Sequence, residues 1–583
     1  MTNGKIQWLH WGSSVFAKAE EQNRPILLYI PARWCQWSQL MDRTTYCDRK
    51  VIALIEEKFL PVRVDNDQRP DLNNRYNQGG WPSVVLLTPK GEAFAGCTYL
   101  APDGFVEILS RASDTFQRDP QEIVALVGQM QARYNHAPPA NPDLDISNEQ
   151  LPQRILSKVK EDFDAKNGGF GPAMKFHHVD SLELLLYAAR EFKDHHAQEM
   201  LILTLSRMAQ SRLFDPAEGG FYRYSTTQDW SAPQYEKVLF DNARLCRLYL
   251  DAYSFLRDPF LRDCAFKILA YFEKFLWDSQ EGVFWGCQLA DADYFGLAPG
   301  ERYKRKAPPA DPVAYADANS AAAMALFKAS VVFSEDEEKY RSMAVRTLRF
   351  IRERMLDRRA GLLFHYWRKE GALAELSGLL QDQAWAVLAF TEAHQYLGDP
   401  DYRDFAGQLL DNTLQSLWVR DGAGFLDCAV EDSSFGELKT PLSPLMPNAV
   451  ALEALWRLHY LKGNFNYRRW LELALKRLLP RALETVHHAA PYARILDLYQ
   501  RGRLEVEVVG RKEMSKTHDF IAKLQSSFLP RKLLAFVDPE DRDFLLAHRM
   551  RTNRFPAVYV TLGREVRGPA LEVAEVERLV EPF

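Results

Sequence analysis

Cysteine is scarce in this sequence. Seven cysteines stand among 583 residues, at positions 35, 47, 97, 246, 264, 287 and 428. Their spacing gives no disulfide framework of the kind found in small secreted domains, and no paired Cys-x-x-Cys that would hold zinc. We therefore expect a reducing compartment, the cytoplasm, and no structural zinc site.

Long apolar runs and an excess of one charge are also missing. No uncharged apolar run reaches 18 residues, and the opening MTNGKIQWLHWG has neither the basic nor the apolar segment of a signal peptide. With 73 basic and 78 acidic residues the net charge is −5, and no block is strongly basic. Neither a membrane nor a nucleic acid is expected as a partner. Because His-Glu-x-x-His and Gly-x-Gly-x-x-Gly are absent too, we predict no metal and no cofactor.

A chain of this length exceeds one hydrophobic core, and its pattern divides into three parts. Residues 1–135 alternate strand signals (RPILLYI, LPVRVD, SVVLLT, EAFAGCTYL) with helix signals (VIALIEEKF, GFVEILSRASDTF). NHAPPANPD, residues 135–143, is predicted to be a linker. Residues 503–583 again alternate strands (LEVEVVG, KLLAFVD, AVYVTLG) with helices (SKTHDFIAKLQSSF, EDRDFLLAHRM), which predicts a small C-terminal α/β domain.

The middle part, residues 146–502, contains twelve helical segments and a recurring phrase. The phrase is DAKNGGF at 164, DPAEGGF at 215, DSQEGVF at 278 and DRRAGLL at 357. It is typical of a helix that ends in a glycine turn. Six helical hairpins predict an (α/α)6 barrel, with an open solenoid as the alternative. The unequal repeat spacing of 51, 63 and 79 residues favours the barrel.

One of the three cysteines of the first part stands at a distinctive position. Cys35, in WCQWS, stands where a strand gives way to a helix, as the first cysteine of a thioredoxin-type Cys-x-x-Cys does, but the second position is Ser38. GGWP places Pro82 directly before a strand, where thioredoxin folds have a cis proline facing the cysteine. A thiol at a helix N-terminus is expected to have a lowered pKa. Two interpretations stay open: a reactive single thiol that forms mixed disulfides, with Cys47 available to resolve them, or an inert cysteine in an interaction module.

These motifs extend over the whole chain, and they resemble those of a known family. WCQWSQLM, VDNDQRPDL, GGWPSVVLLTPKGEAF, GGFGPAMKF, GGFYRYSTTQDWSAPQYEKVLFDNARL, GLLQDQAW and PNAVALEALWRL are similar to phrases of the thioredoxin-domain proteins related to spermatogenesis-associated protein twenty. The resemblance implies a thioredoxin-like domain joined to a barrel like those of six-hairpin glycosidases and sugar 2-epimerases. Ser38, Gln39 and Gln234 stand where the family has cysteine, histidine and histidine, and the C-terminal part lacks a cysteine pair. These departures weaken a disulfide-reductase interpretation most.

The predicted fold class is therefore multidomain α/β plus all-α: a thioredoxin-like domain, an (α/α)6 barrel and a small C-terminal α/β domain. The first functional hypothesis is a single-cysteine redox or binding module, with Cys35, Ser38 and Pro82 as its site and a thiol-containing protein as its partner. The second is a carbohydrate-active enzyme, isomerase, epimerase or hydrolase, that binds a sugar in the barrel.

Acidic residues at predicted helix starts supply acid and base candidates for the second hypothesis. They are Glu236, Asp241, Asp317 and Asp382, of which Asp241 and Asp382 lie in family-like phrases, although carboxylates also serve there as helix caps. No histidine pair stands out. Aromatic and polar side chains expected to orient a ligand are Lys175, Trp230, Lys237, Asn242, Asn319 and Asn448.

Overall fold

The structure is a computed structural model, and it describes residues 5–134, 145–419, 424–429, 434–511, 513–541, 545–546, 550, 554–563 and 565–581. Within these ranges no helix is both long and apolar enough to cross a membrane. The predicted linker at 135–143 and most of the predicted helix EDRDFLLAHRM lie outside the described residues. The domain boundaries 1–135, 146–502 and 503–583 therefore stay a prediction.

The first part is a four-stranded sheet with helices on both faces. Its strand order is β2-β1-β3-β4, with β1 parallel to β2 and antiparallel to β3. The central strands are buried on both faces, as expected of near-continuous apolar runs. The elements are β1 Ile26–Ile30, β2 Leu60–Arg63, β3 Ser83–Leu87, β4 Ala93–Cys97, α1 Ser13–Gln22, α2 Gln36–Arg43, α3 Arg49–Lys58, α4 Pro70–Tyr76, α5 Pro102–Arg118 and α6 Pro120–Tyr134.

Twelve long helices make the second part a closed double ring. The six inner helices are α8 Val179–Glu191, α10 Leu239–Leu256, α14 Ala316–Val332, α16 Leu380–Leu397, α18 Leu445–Lys462 and α20 Ala490–Arg501. Each packs on the next, and α20 packs back on α8, so the ring is closed and is not an open solenoid. The outer helices are α7 Leu151–Glu161, α9 His195–Gln210, α11 Pro259–Tyr271, α15 Glu337–Arg354, α17 Pro400–Leu417 and α19 Phe465–Glu484.

Short helices and strands lie in the connections between the ring helices, at the mouth of the ring. The helices are α12 Ala292–Phe295 and α13 Pro299–Arg302. The strands are β5 Lys175–Phe176, β6 Tyr224–Ser225, β7 Pro233–Gln234, β8 Lys237–Val238, β9 Trp277–Asp278, β10 Val283–Phe284, β11 Cys287–Gln288, β12 Ala310–Asp311, β13 Val313–Tyr315, β14 Leu356–Asp357, β15 Leu362–Arg368 and β16 Leu373–Ser377.

The recurring glycine phrase forms the turn that leads from an outer helix toward the next inner one. At Gly219 φ is +76°, and a Cβ there would lie 2.2 Å from the carbonyl oxygen of Lys267, so the position requires glycine. Directly after this turn, the backbone of Phe221 is held by the side chain of Asn242 from α10. The N–H of Phe221 donates to Asn242 Oδ1 at 2.6 Å, and Asn242 Nδ2 donates to the carbonyl of Phe221 at 2.9 Å.

The same two-bond contact, here called the amide clamp, recurs around the ring. Asn319 holds Phe284, Gln383 holds Leu363 and Asn448 holds Phe425 in the same way. The three asparagines were predicted to orient a ligand, and that prediction is wrong. Their amides are buried because each one satisfies both backbone groups of a loop residue that water does not reach.

The other predicted ligand contacts in this part are also structural, which corrects the prediction. Lys237 is fully buried, with Nζ 2.7 Å from Asp215 Oδ2. Lys175 is likewise buried, 2.9 Å from Asp164 Oδ2. Both aspartates are the first residues of glycine phrases. Trp230 is 1% exposed, and its Nε1 donates to the carbonyl of Asn167 at 3.0 Å.

The third part repeats the fold of the first. Its strands are β17 Leu504–Val509, β18 Lys532–Val537, β19 Ala557–Leu562 and β20 Glu565–Ala570, and its described helices include α21 Ser515–Ser526 and α22 Val573–Val580. The order β18-β17-β19-β20 and the strand directions match those of the first sheet. A cis proline precedes the third strand in both, after Trp81 and after Phe555.

This repeat was not predicted, although Phe555-Pro556 before a strand is a signal that the sequence carries. Met514 immediately precedes α21, as Cys35 immediately precedes α2, and each follows the last residue of its preceding strand by five positions. Thr517 stands where the first part has Ser38. The third part therefore has a thioredoxin-like sheet without the cysteine.

The amide clamp gives a stability prediction. Asn319→Ala should leave the N–H and carbonyl of Phe284 buried without partners and lower the free energy of unfolding by about 2–4 kcal/mol. Chemical denaturation followed by tryptophan fluorescence measures the change. Asn466→Ala, at an exposed position of α19, is the matched control and should change it by less than about 0.5 kcal/mol. Equal effects of the two substitutions would contradict the clamp.

Candidate functional site

A cavity of about 580 Å³ lies between the first part and the mouth of the helical ring. The first part contributes aromatic and acidic side chains to the wall, and the ring contributes carboxylates, arginines and histidines. The lining includes Trp34, Asn66, Asp67, Asp71, Asn74 and Trp81 on one side, and Arg223, Phe240, Asp241, Tyr315, Asp317, His365, Gln381, Asp427, Arg481 and His488 on the other. The thioredoxin-like sheet thus forms a roof over the ring.

One end of the roof is attached by a buried ion pair. Arg75 donates to both carboxylate oxygens of Asp427, at 2.7 and 3.1 Å, and to the carbonyls of Glu437 and Thr440. Close by, the two backbones touch at Gly91, where a Cβ would lie 2.5 Å from the Cα of Gly436. Arg75 thus makes a bidentate ion pair and two further hydrogen bonds across the interface, and the backbones are in direct contact. Such contacts hold the two parts in a fixed relative position.

The other end of the roof is attached through His365 of β15. Its Nδ1 lies 2.9 Å from Asp382 Oδ2, and its Nε2 lies 2.6 Å from the carbonyl oxygen of Asp67. Because both partners are acceptors, both ring nitrogens must carry a proton, so His365 is an imidazolium. Burial opposes that charge, but the Asp382 carboxylate outweighs it and raises the pKa of His365 to about 9.

Two carboxylates support this histidine from the first turns of neighbouring inner helices. Asp382 on α16 is fully buried behind His365, and burial raises its pKa to about 6 despite the opposing charge of the imidazolium. Asp317 on α14 accepts from Gln381 Nε2 at 2.5 Å and from the N–H of Ala318 at 2.7 Å. Ligand atoms of Asp317, His365 and Asp382 lie within 4.8 Å of one another, which suits a metal ion. His365 Nδ1 is bonded to Asp382, so a metal would have to break that bond.

Acidic groups of the roof face the same network. Asp67 and Asp65 lie close together, since the N–H of Asp67 donates to Asp65 Oδ1 at 2.9 Å. Burial and the charge of Asp65 raise the pKa of Asp67 to about 8. This shift favours the protonated form of Asp67, which lowers the negative charge that the roof presents to the cavity.

Asp241 is the predicted acid or base that lines the cavity with a free carboxylate. Asp241 is the third residue of α10 and is partly exposed, lining the cavity. Its carboxylate accepts no hydrogen bond from the described residues. Arg223 provides a positive counterpart in the lining, and its guanidinium stacks over the rings of Trp34 and Trp81, at 4.4 and 4.7 Å from their centroids.

Cys35 lies at the N-terminus of α2, facing the cis bond before Pro82, as predicted. The thiol is 3.5 Å from the carbonyl oxygen of Trp81 and is only 5% exposed. Barrel residues Cys287, Val238 and Leu289 pack in the same apolar cluster as Cys35.

The expected lowering of the Cys35 pKa is wrong, because burial raises it. The charge of Glu236 raises it further, against hydrogen bonds from Ser38. Ser38 is itself buried, and its Oγ accepts from the N–H of Ala32 at 3.2 Å.

Glu236 was predicted as a catalytic carboxylate of the barrel, but the structure places it elsewhere. It is 2% exposed, lies beside Cys35 and the backbone of Gln36, and is not part of the cavity lining. Burial raises the pKa of Glu236.

Of the predicted site residues, Asp241 and Asp317 line the cavity and Asp382 lies behind its wall, while Cys35, Ser38 and Glu236 form a separate buried group. His365, Asp67, Trp34 and Arg223 were not predicted as cavity residues. His365 carries no local sequence signal of this role, because its pairing with Asp382 depends on two elements meeting in space.

The fold and cavity define a class: a thioredoxin-like domain seated over the mouth of a helical double ring. Residues 1–134 match the Thioredox_DsbH family, described as a protein of unknown function, DUF255. Spermatogenesis-associated protein 20 of Rattus norvegicus is 31% identical over 312 residues, which cover 49% of this chain and 39% of that protein. The Homo sapiens protein of the same name is 30% identical over 325 residues, covering 52% and 40%.

Residues 1–134 are thus similar to the Thioredox_DsbH family, and about half of the chain is similar to spermatogenesis-associated protein 20, which confirms the resemblance seen in its motifs. The match spans about 40% of the length of those relatives. Among solved structures, cellobiose 2-epimerase from Bacillus thermoamylovorans has a TM-score of 0.48 and 12% identity, covering 57% of this chain and 86% of that one. A family 76 α-mannanase from Bacteroides thetaiotaomicron has a TM-score of 0.44 and 12% identity, covering 61% and 98%.

The burial of Cys35 predicts slow alkylation. With iodoacetamide at pH 7.5, Cys35 should react at least about tenfold more slowly than exposed Cys47, because its thiol is both covered and protonated. Peptide mass spectrometry over a time course measures both rates in one sample, so Cys47 is the internal control. Labelling of Cys35 at the rate of Cys47 or faster would show a reactive thiol instead.

The His365 contact predicts a pH-dependent stability. Its pKa is about 9 in the folded chain and about 6.5 when unfolded, so its stabilisation is complete below pH 6.5 and is lost as pH rises through 9. The loss should reach about 3 kcal/mol. Asp382 contributes at lower pH, between its ordinary value of 3.8 and about 6, outside this window.

Unfolding midpoints of the wild type and His365→Gln between pH 6.5 and 9.5 measure this loss. The wild type should lose stability across the range, and the variant should lose markedly less. His196→Gln, at an exposed position, is the control and should behave as the wild type. Parallel curves for the wild type and His365→Gln would refute the assignment.

Proposed function

We propose that this protein binds a small polyhydroxylated molecule of the sugar class in the cavity between its first domain and the helical ring. The first domain acts there as a fixed wall of the site and not as a thiol oxidoreductase. The observation that carries the proposal is the cavity itself, which has walls from both domains and which combines aromatic rings with a free carboxylate.

The size and lining of the cavity support a ligand of this class. A volume of about 580 Å³ lies within the usual range for small-molecule sites. Trp34, Trp81 and Tyr315 line the cavity with aromatic rings, the first two with the Arg223 guanidinium over one face. Asp241 and Arg223 offer an acceptor and a donor for the hydroxyls of a sugar. A ligand with hydroxyl groups can donate a hydrogen bond to Asp241. A purely apolar ligand would instead cover the Asp241 carboxylate without giving it a hydrogen-bond partner, which is unfavourable.

Acid or base chemistry at this site would be carried by Asp241, with Asp317 on the neighbouring inner helix as a second carboxylate at the cavity wall. A hydrolase uses two carboxylates as acid and base or nucleophile, and an isomerase or epimerase uses a base that removes a proton next to a carbonyl. Both reaction types remain part of the proposal. Asp382 is assigned a positioning role, because it contacts His365 and does not line the cavity.

The redox alternative has less support. A mixed disulfide with a thiol-containing protein requires an accessible thiolate, and Cys35 is buried in an apolar cluster with Cys287, Val238 and Leu289 of the barrel. Its raised pKa also keeps the sulfur protonated at neutral pH.

The sugar proposal is tested by binding. Isothermal titration against a panel of mono- and disaccharides should identify at least one that binds the wild type. Asp241→Asn should bind that sugar about 10–100-fold more weakly, since a hydrogen bond to a charged group is worth about 1.5–3 kcal/mol.

Asp519→Asn, an exposed aspartate of α21, is the matched control and should bind as the wild type. The proposal fails if no sugar in the panel binds, or if Asp241→Asn binds as tightly as the control.

A further inference from the structure

A second cavity, of about 200 Å³, lies inside the helical ring at the end opposite the roof. All six inner helices contribute to its wall, and the third part of the chain closes it with residues 525 and 527–530 and with Lys532. The closure is bonded: Gln395 of α16 donates to the carbonyl of Leu534 at 3.0 Å, and Lys328 of α14 donates to the carbonyl of Gln525 at 2.9 Å. This chamber is distinct from the proposed sugar site.

The wall of the chamber is densely charged. Its acidic residues are Asp180, Glu183, Asp251, Glu392 and Glu453, and its basic residues are Arg244, Arg247, Lys328, Arg457, Arg494 and Lys532. Five acidic residues thus stand against six basic ones, so one basic residue has no acidic counterpart.

Ion pairs occupy every one of these carboxylates. Arg244 binds Asp180 and Glu183, Arg247 binds Asp251 and Glu392, and Arg457 and Arg494 both bind Glu453. Lys328 Nζ lies 3.3 Å from Asp251 Oδ1. The acidic side chains of the chamber are therefore already shared among the other cations.

Lys532 is the cation without a carboxylate. Its Nζ donates to the carbonyl oxygen of Leu524, and no described carboxylate lies within ion-pair distance. Burial and the charges of Lys328 and Arg247 lower the pKa of Lys532 well below its usual value, against the weaker effect of Asp251 and Glu392. An anion bound beside this amine would supply the counter-charge that favours its protonated form, so the chamber suits an anion there.

We propose that this chamber is a binding site for a small tetrahedral oxyanion, phosphate or sulfate, held by Lys532 and Lys328. The anion supplies the negative charge that the wall lacks, and the two ammonium groups supply several N–H donors to its oxygens. A volume of about 200 Å³ admits the ion itself with water. Lys328 belongs to α14 of the ring and Lys532 to the third part. A bound anion would therefore link the third part to the ring.

Thermal unfolding of the full chain with increasing sodium phosphate tests the proposal, with sodium chloride at equal ionic strength as the reference. The wild type should show a saturable rise of its unfolding temperature with phosphate that chloride does not produce. Lys532→Met should lose this rise. Lys516→Met, which removes an exposed lysine paired with Glu572, is the matched control and should keep it.

A phosphate response no larger than that of chloride, or one that survives in Lys532→Met, would overturn the site. Should that variant fail to fold, phosphorus NMR of the wild type decides: the phosphate resonance should broaden with added protein, and an unchanged line refutes binding. Asp241→Asn should retain the phosphate response, so failure of the sugar proposal and failure of this one are separable.

Discussion

The hydrogen bond from His365 to the carbonyl oxygen of Asp67 is the contact on which the candidate site depends. It joins the first domain to the mouth of the ring at the centre of the cavity wall, and the buried Asp382 keeps the imidazole charged so that it can donate there. Arg75 secures the opposite edge through Asp427. The cavity and the buried environment of Cys35 are both formed by residues of the first domain together with residues of the ring. Both therefore depend on the two domains staying in contact.

The fixed roof changes what the thioredoxin-like fold does in this chain. A thiol at a helix N-terminus must be accessible to exchange with the sulfur of another polypeptide. Here Val238 and Leu289 of the barrel pack in the apolar cluster that contains Cys35, and Glu236 adds a nearby carboxyl group. Cys35 at the helix N-terminus is therefore buried at the contact between the two domains. Ser38, in place of the second cysteine of the motif, is consistent with a site that does not carry out dithiol chemistry.

Both ends of the ring are covered by units with the same sheet order, one of which keeps the cysteine while the other has Met514 in its place. The interior consequently holds two cavities of different character. The upper cavity mixes rings with acidic groups, and the lower one is lined by paired charges. Partial removal from bulk water strengthens electrostatic interactions in such spaces.

Much of this architecture was readable in the sequence, because periodicity reports local structure. The twelve ring helices, the strands of the first sheet, three of the four strands of the C-terminal sheet and the proline before β3 all follow from patterns a few residues long. The amide clamps were not predicted, because an asparagine at a helix start has the same local sequence pattern whether it contacts a ligand or a loop. Which of the two it contacts depends on where the loop residue, Phe221 or Phe284, lies in the folded chain. For the same reason His365 and Asp382, on different elements, could not be paired in advance, and the burial of Cys35 could not be foreseen.

The amide clamps also have a consequence for how the chain folds. Each one closes a loop of modest length, 21 residues for Asn242, 35 for Asn319 and 23 for Asn448. Contacts that seal the ring and seat the roof are far more distant, 310 residues for Tyr187 with Asp497 and 352 for Arg75 with Asp427. Since the entropy of loop closure grows with the length of the loop, neighbouring hairpins can assemble in order as they emerge from the ribosome, and the last inner helix must arrive before the circle is complete.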